Sequence, residues 1–512
     1  MAKILWADDE IDLLKPHVLF LEAKGHQVTT VCSGNEAIDE TEENDFDIVF
    51  LDENMPGLTG LDTLEEIKLK HPSIPIVMIT KSEEESIMEE AIGGRISDYL
   101  IKPVNPNQIL LSIKKILEGK RLVSEKTTSS YQQEFRQISM DLQDRLDEEE
   151  WKELYKKIVY WDLKLAESND SSMKEILSMQ KKEANDLFSR FVEKNYLNWA
   201  NGIDTPLMSH ELLKKEVFPN IGTKTTFMVL IDNLRYDQWQ ILRPLLREYF
   251  TITKDELYYG ILPTATQYAR NSIFAGLMPL DIAKKHPEYW KNDEDEGGKN
   301  LFEKELLGEN FIRNRKEVKY SYNKITNLKS GKKLVDNFSN LMQYEFNAIV
   351  YNFVDMLSHA RTDMEVIREL ADDEEAYRSL TLSWFKHSPL FDLFKLIAKN
   401  NCDVIITTDH GTIKVDEPSK VIGDRNTNTN LRYKQGKNLT FQKKDVFEVR
   451  NPDEAFLPKQ NVSTSFIFAK DSKFFVYPNN YNHFLKYYKN TFQHGGISLE
   501  EVLIPIVHLK SK

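Results

Sequence analysis

The sequence predicts a multidomain α/β protein with an all-helical middle. Three observations predict it. Over residues 1–120, short β-branched apolar runs alternate with apolar residues at helical spacing, the pattern of a parallel, doubly wound sheet. Between residues 121 and 201 Gly and Pro are absent, and apolar residues recur every three or four positions. After residue 206 the strand and helix alternation restarts, and three strands run directly into acidic residues. A chain of 512 residues has room for two to four such domains.

Composition excludes several classes. Hydrophobic content of 41% and charged content of 29% are ordinary for a soluble globular protein. No run of about 18 apolar residues occurs, so no membrane span is expected. The chain opens into a strand pattern, so no secretory leader is expected. Cys32 and Cys402 each end or open an apolar run, so both are expected as buried thiols in a reducing compartment. The net charge of −14 is uneven: residues 1–120 carry 24 acidic against 11 basic residues, the rest 57 against 56. An acidic front on a nearly neutral body argues against a general nucleic-acid coat.

In the front domain, residues 1–120, strand-like runs fall at 3–7, 27–32, 48–51, 74–79 and 98–101. Helical patterns separate them, among them Leu61-Leu64-Ile67 and Ile109-Ile113-Ile116. At the strand ends stand Asp8, Asp9, Asp52, Thr80 and Lys102. Three carboxylates converging on one edge repel unless a cation joins them, and Mg²⁺ suits such oxygen ligands. A carboxylate held beside Mg²⁺ can accept a phosphoryl group, whose oxygens Lys102 and the Thr80 hydroxyl would contact. This order of residues resembles the flavodoxin-like receiver domain of bacterial response regulators. The resemblance implies that Asp52 is the phosphoacceptor. It implies that Asp9, Asp52 and the Asn54 carbonyl hold Mg²⁺, with Asp8 assisting through water. It makes Thr80 and Tyr99 the switch pair, and the Lys102–Pro103 bond cis. Phosphorylation is then expected to favour a homodimer through the face formed by residues 83–91 and 97–118.

The middle, residues 121–205, reads as two or three antiparallel helices, a helical bundle. Apolar positions include Phe135, Ile138, Leu142, then Leu154, Ile158, Leu165, then Leu187, Phe188, Phe191. Trp151, Tyr155, Trp161 and Trp199 are expected in its core. The acids at 147–150 are expected at a solvated helix start.

The back domain, residues 206–512, is too long for a DNA-binding effector and shows no helix-turn-helix signature. Its organising stretch is Val-Ile-Ile-Thr-Thr-Asp-His-Gly at 404–411: a buried strand, then Asp409 and His410 where it ends, then Gly411, which is expected to turn the chain. Two other strands, at 226–231 and 347–353, lead into Asp232 and Asp355. His359 follows Asp355 by four positions, one helical turn. His494-Gly-Gly comes near the end. Hard oxygens plus imidazoles on rigid elements are what a two-metal site needs. The segment Leu262-Pro-Thr-Ala-Thr offers a nucleophilic hydroxyl before a helix, Thr264 or Thr266.

This order is similar to the alkaline-phosphatase superfamily, in its PglZ-type branch. The resemblance implies an alkaline-phosphatase-like α/β domain in which Asp232, Asp409 and His410 hold one Zn²⁺ that also contacts Thr266. It implies that Asp355, His359 and His494 hold a second Zn²⁺, and that Thr266 is the nucleophile. Sulfatase chemistry on this fold would need a maturable Cys or Ser, and neither cysteine sits at that position. Residues 281–335 are expected to cap the site. Residues 419–444 carry seven basic residues against one acid, among them Arg425, and follow Asp409-His410 closely. Arg432 and Lys434 are expected to bind substrate phosphates there.

Receiver, bundle and PglZ-type domain in this order resemble the PorX-type response regulators of Bacteroidetes. That implies a cytoplasmic protein, a cognate histidine kinase and regulation of type IX secretion. The activity expected is a phosphodiesterase acting on oligonucleotides or cyclic nucleotides. The competing reading is a non-catalytic regulator that docks a sigma factor or another protein through its back domain.

Overall fold

The computed structural model describes residues 2–81, 96–167, 171–222, 224–293, 295–370, 373–424, 427–459 and 461–512. The side chains of 118–129, 171, 359–363, 365, 366 and 370 are also outside the description. The chain forms two compact units, Met1–Ser130 and Tyr131–Lys512.

In the first unit, strands β1 (Lys3–Ala7), β2 (Gln27–Val31), β3 (Ile48–Asp52), β4 (Ile76–Thr80) and β5 (Asp98–Ile101) form one sheet, ordered β2-β1-β3-β4-β5. All four pairings are parallel. Side chains alternate faces along each strand, so the sheet buries a layer on both sides. Ile4, Trp6, Phe50, Val77 and Ile79 pack on one face, and Leu5, Ala7, Val49, Leu51 and Met78 on the other. Helix Gly60–Lys70 starts in a capping box between Thr59 and Asp62. Cys32 lies just past β2 and is exposed, contrary to expectation, because β2 is the edge strand; Cys402 is buried. Residues 83–91 of the expected dimer face lie outside the described residues.

In the second unit a six-stranded sheet carries the site. It comprises β6 (Thr226–Ile231), β7 (Phe250–Tyr259), β8 (Tyr320–Ile325), β9 (Phe346–Tyr351), β10 (Asp403–Thr407) and the last strand, Leu503–Ser511. The order is β7, Leu503–Ser511, β10, β6, β9, β8. Leu503–Ser511 pairs antiparallel with both neighbours; β10, β6, β9 and β8 pair parallel. The register sets Thr407 beside Leu230 and Ile231 beside Tyr351. The carboxyl ends of three adjacent buried strands therefore meet, which is where open α/β sheets bind ligands.

The segment 281–335 is only partly an addition over the site. Its alternating Tyr-Ser-Tyr-Asn-Lys-Ile run is β8, an edge strand of the main sheet. The basic segment 419–444 is likewise built into structure: Tyr433–Gly436 pairs with Ser465–Ala469 in a three-stranded sheet.

Helices Glu148–Ala166 and Ser171–Ala200 do not enclose a core of their own. Trp151, Tyr155, Trp161 and Trp199 are buried in the same apolar cluster as the main sheet. The Trp199 ring packs 5.1 Å from that of Tyr259 on β7. Asp147 caps the first helix through the N–H groups of Glu149 and Glu150. A buried ionic chain also joins these helices to the sheet. Arg378 Nη1 reaches Asp162 (2.7 Å) and Asp237 (3.1 Å). Lys181 Nζ reaches Glu374 (2.6 Å) and Glu500 (3.1 Å). Arg235 pairs with Asp237 and with Glu374 at 3.1 Å. Each charge has an opposite partner, as burial requires. Arg235 stands three residues past Asp232, so this chain ties a loop at the strand ends to the helical bundle.

Candidate metal centres

In the first unit, Asp8, Asp9 and Asp52 each bring a carboxylate oxygen within 4.8 Å of the others. Lys102 Nζ lies 2.8 Å from Asp8 and 2.9 Å from Asp52. Burial pushes the Asp52 carboxyl up, against the pull of Lys102. Three acids share one ammonium, a charge imbalance that a divalent cation fits. Thr80 is buried at the end of β4, and Tyr99 is half-buried on β5 beside Met78. Asn54 is exposed on the loop after β3. The Lys102–Pro103 bond is cis.

In the second unit, Asp232, Asp409 and His410 form a fully buried cluster with ligand atoms within 4.8 Å. Asp232 directly follows β6; Asp409 and His410 follow β10. Asn233 takes a positive φ of 63°, which turns the chain at once and aims its N–H at Asp409 Oδ1, 3.3 Å away. Gly411 has a different reason from the turn expected of it. A Cβ there would stand 1.9 Å from the Glu500 carbonyl oxygen, so close backbone approach excludes any side chain.

Thr266 begins helix Thr266–Ala275, and its Oγ1 lies 3.1 Å from His410 Nε2. The preceding residue, Ala265, offers no side-chain cap to that helix. Thr264 faces elsewhere: its hydroxyl donates to Gly496 O (2.9 Å) and accepts from Gly495 N–H (3.0 Å).

Asp355 sits in the first turn of helix Phe353–Asp363, after β9. Its Oδ1 accepts from Asn233 Nδ2 at 3.4 Å and lies 3.8 Å from His494 Nε2. The His494 and His410 rings stack with centroids 4.2 Å apart, so the two ligand sets adjoin. His359 is on the same helix as Asp355, but its side chain lies outside the described residues.

Sequence reasoning missed Arg270. Its guanidinium is fully buried, with Nε 2.9 Å from Asp409 Oδ2 and Nη2 against Asp232 Oδ2. The available signal was spacing, since Arg270 is one turn past Thr266 on one helix face. Burial opposes charge on both aspartates. Arg270, His410 and the Asn233 N–H outweigh it at Asp409 and hold that carboxyl below the usual range. At Asp232 burial wins and pushes the carboxyl well up. Arg270 takes Asp232 Oδ2, while Asp232 Oδ1 makes no hydrogen bond. A buried carboxylate oxygen that no donor reaches, beside an imidazole and a hydroxyl, is a fitting place for a divalent metal ion.

Arg432 and Lys434 are corrected. Arg432 is fully buried, and its fork grips Glu501 at 3.2 and 2.5 Å. Glu501 in turn accepts from Gly496 N–H at 2.9 Å. Arg432 thus shapes the His494-Gly495-Gly496 turn from behind and cannot reach a substrate. Lys434 is buried, donating to Asn428 O (2.9 Å) and lying 4.7 Å from the Tyr477 ring centroid. Both face inward because their segment is a strand pair. Arg425 lies outside the described residues. A cleft of about 880 Å³ adjoins the centre, lined by Gln267, Asp293, Lys299, Asn428, Lys437 and His494 among others. Among the described residues its cations are Lys299 and Lys437, not the two expected.

Burial lowers the Lys434 ammonium to about 7. An unfolded lysine keeps its proton to about 10.4. Between those values the unfolded chain binds the extra proton, so stability rises with pH across that window and levels off above it. Lys434→Met should remove this part of the rise; urea titrations at pH 7 and 9.5 measure it. An unchanged pH dependence would show that the ammonium stays charged.

Comparisons with known proteins agree with this organisation. Residues 212–509 match the BREX system PglZ alkaline phosphatase-like domain, 121–200 the PorX response regulator linker domain, and 4–114 the response regulator receiver domain. Response regulator SaeR of Staphylococcus aureus is 35% identical over 117 residues, 23% of this chain and 51% of that protein. The chain thus spans about half the length of the curated relatives it matches. Among solved structures, a Clostridium thermocellum receiver domain is 33% identical, covering 24% of this chain and 98% of its own, with a TM-score of 0.23. Vibrio cholerae chemotaxis protein CheY4 is 28% identical, covering 23% and 99%, with a TM-score of 0.22.

Proposed function

The chain belongs to the PglZ alkaline phosphatase-like family and opens with a response regulator receiver domain; from that premise we propose that phosphorylation of Asp52 controls a di-zinc phosphodiesterase. The observation that carries the reading is the meeting of Thr266 Oγ1 and His410 Nε2 at 3.1 Å, beside Asp232 and Asp409 and at the start of a helix.

Asp232, Asp409, His410 and Thr266 would hold one zinc, and Asp355, His359 and His494 the other. Bound zinc supplies positive charge that lowers the pKa of a ligated hydroxyl and offsets charge on phosphoryl oxygens. Thr266 Oγ attacks phosphorus and forms an O–P bond as the ester oxygen leaves. Water then cleaves the phospho-threonine and restores the hydroxyl. The uncapped first turn of the Thr266 helix offers N–H groups to a phosphoryl oxygen. The Mg²⁺ of the receiver would lie among Asp8, Asp9, Asp52 and the Asn54 carbonyl, with Lys102, Thr80 and Tyr99 reading the phosphoryl group.

The substrate class is an oligonucleotide or cyclic-nucleotide phosphodiester. A monoester brings a second full negative charge, and apart from the proposed ligand sets the described residues of the second unit hold no further cluster of three or more acids or imidazoles for another cation. The amide-rich cleft with Lys299 and Lys437 suits flanking phosphates and base edges. Metal-loaded protein should turn over a p-nitrophenyl diester faster than the monoester. Lys299→Glu with Lys437→Glu should raise KM for a short oligonucleotide about tenfold and leave the small diester within about twofold. A preference for the monoester would overturn the class, and no turnover at all would favour a docking regulator.

The protein would work in the cytoplasm, take its phosphoryl group from a cognate histidine kinase and regulate type IX secretion. A new phosphoryl charge draws Thr80 inward and reorders the face near Tyr99, favouring a homodimer. Light scattering with beryllofluoride should show the mass doubling. An unchanged mass at micromolar protein, with the mimic bound, would remove the dimer from the proposal.

A further inference from the structure

We propose that Arg270 is a resident cation of the Asp232–Asp409–His410 centre, holding its carboxylates assembled before a metal arrives. The inference rests on reading that cluster as a metal centre. Arg270 has no exposed surface. Its Nε is 2.9 Å from Asp409 Oδ2, its Nη2 contacts Asp232 Oδ2, and its Nη1 lies 3.6 Å from Glu303 Oε1 and 3.4 Å from Asn352 Oδ1. One guanidinium thus faces three buried acids from three different segments.

The division of oxygens is the informative part. Arg270 engages the Oδ2 atom of each aspartate. Asp232 Oδ1 makes no hydrogen bond and lies 3.9 Å from His410 Nε2, which is itself 3.1 Å from Thr266 Oγ1. The arginine therefore leaves one Asp232 oxygen, the imidazole and the nucleophilic hydroxyl to a metal. Its own place is fixed from behind, since Glu303 also accepts from Tyr322 OH and from Lys324 Nζ, the latter at 2.9 Å. A lysine would do this less well: Lys102 and Lys181 each bring one ammonium to two acids, whereas the planar fork of Arg270 faces three. Without the guanidinium, Asp232 and Asp409 would be buried together uncompensated, with only Glu303 keeping a cation, Lys324, a strongly destabilising arrangement. A bound dication would relieve the same repulsion. Arg270 and the metal should then be partly interchangeable for stability, which a purely packing role would not produce.

The experiment is thermal unfolding of the full chain, as wild type, Arg270→Gln and Arg270→Lys, each in chelator and in saturating zinc. Arg270→Gln should melt roughly 5–10 °C below wild type in chelator. Zinc should recover at least half of that gap, with Arg270→Lys in between. Any second zinc stabilises all three proteins alike and cancels in the comparison. An Arg270→Gln protein that folds only when expressed with zinc and unfolds on chelation is the same result in extreme form. A loss of equal size with and without zinc, or no loss in chelator, overturns the inference. Should Arg270→Gln be insoluble under both conditions, the same comparison on Arg270→Lys decides. Native mass spectrometry of the wild type separates the two readings. Wild type that binds no zinc refutes the metal centre itself, whereas zinc-bound wild type with an unrecovered variant refutes only the role of Arg270.

Discussion

Thr266→Val lowers turnover of a chromogenic phosphodiester by roughly 10⁴-fold or more while both zinc ions remain bound; this is the expected result if Thr266 is the nucleophile. Valine matches threonine in shape and deletes only the hydroxyl, so the helix and its packing survive. The ligands from Asp232, Asp409 and His410 are untouched, because Thr266 contributes one contact among several. Thr264→Val is the matched control. Its hydroxyl bridges Gly495 and Gly496, and its carbonyl lies 3.1 Å from His494 Nδ1. Losing that bridge should loosen His494 and cost metal retention, with about tenfold in rate. The two variants therefore separate chemistry from support. Equal activity in Thr266→Val and wild type, measured at saturating zinc, would remove Thr266 from the mechanism. A Thr264→Val protein that is dead with both metals bound would move the nucleophile two residues back.

Much of the site was legible because sheets obey a simple grammar. A β-branched run ending in an acid places that acid on the ligand edge of a parallel sheet, and β6, β9 and β10 proved to be neighbours. The receiver was legible for the same reason, since four of its five short strands end at or directly before a candidate site residue: Asp8, Asp52, Thr80 and Lys102. What failed was the reading of charge in a loop-like stretch. Arg432 and Lys434 look like surface cations because their own segment is polar. The residue that makes Arg432 a core side chain, Glu501, is 69 positions away, beyond any local pattern. Basic residues signal a phosphate site only when nothing acidic folds back onto them.

Arg270 shows the opposite failure. An arginine inside Thr-Gln-Tyr-Ala-Arg-Asn-Ser reads as an exposed helix position, but the helix is buried on nearly every side. Strands β7, β8 and Leu503–Ser511 were not read from the sequence because each is partly polar: β8 alternates tyrosine with Ser and Asn, and β7 carries Lys254, Asp255 and Glu256. Edge and antiparallel strands tolerate such residues where buried parallel ones do not. The helices of the middle were read correctly as helices, but not their dependence on the sheet. Trp199 and Phe188 pack on Tyr259, a partner that a bundle considered alone does not supply.

Metal content should fall stepwise in a pattern that the two ligand sets dictate. His494→Ala and His359→Ala should each lose about one zinc, and the double variant should lose no more than either alone, because the proposed ligand sets give both to the same ion. His410→Ala should also lose about one, but combining it with His494→Ala should empty the centre. A site that loses one of three protein ligands typically binds far more weakly, which dialysis against a weak chelator converts into absence. The stacking of His410 on His494 at 4.2 Å is a route by which a single change could disturb both ions. His494→Asn tests that route, since it keeps a polar side chain of similar reach against the His410 ring. Elemental analysis of the dialysed full-length proteins gives the counts. Full retention in both His359→Ala and His494→Ala would refute the second site. Additive loss in the double variant would mean that Asp355, His359 and His494 do not share a metal, and the ligand sets would have to be redrawn around His410.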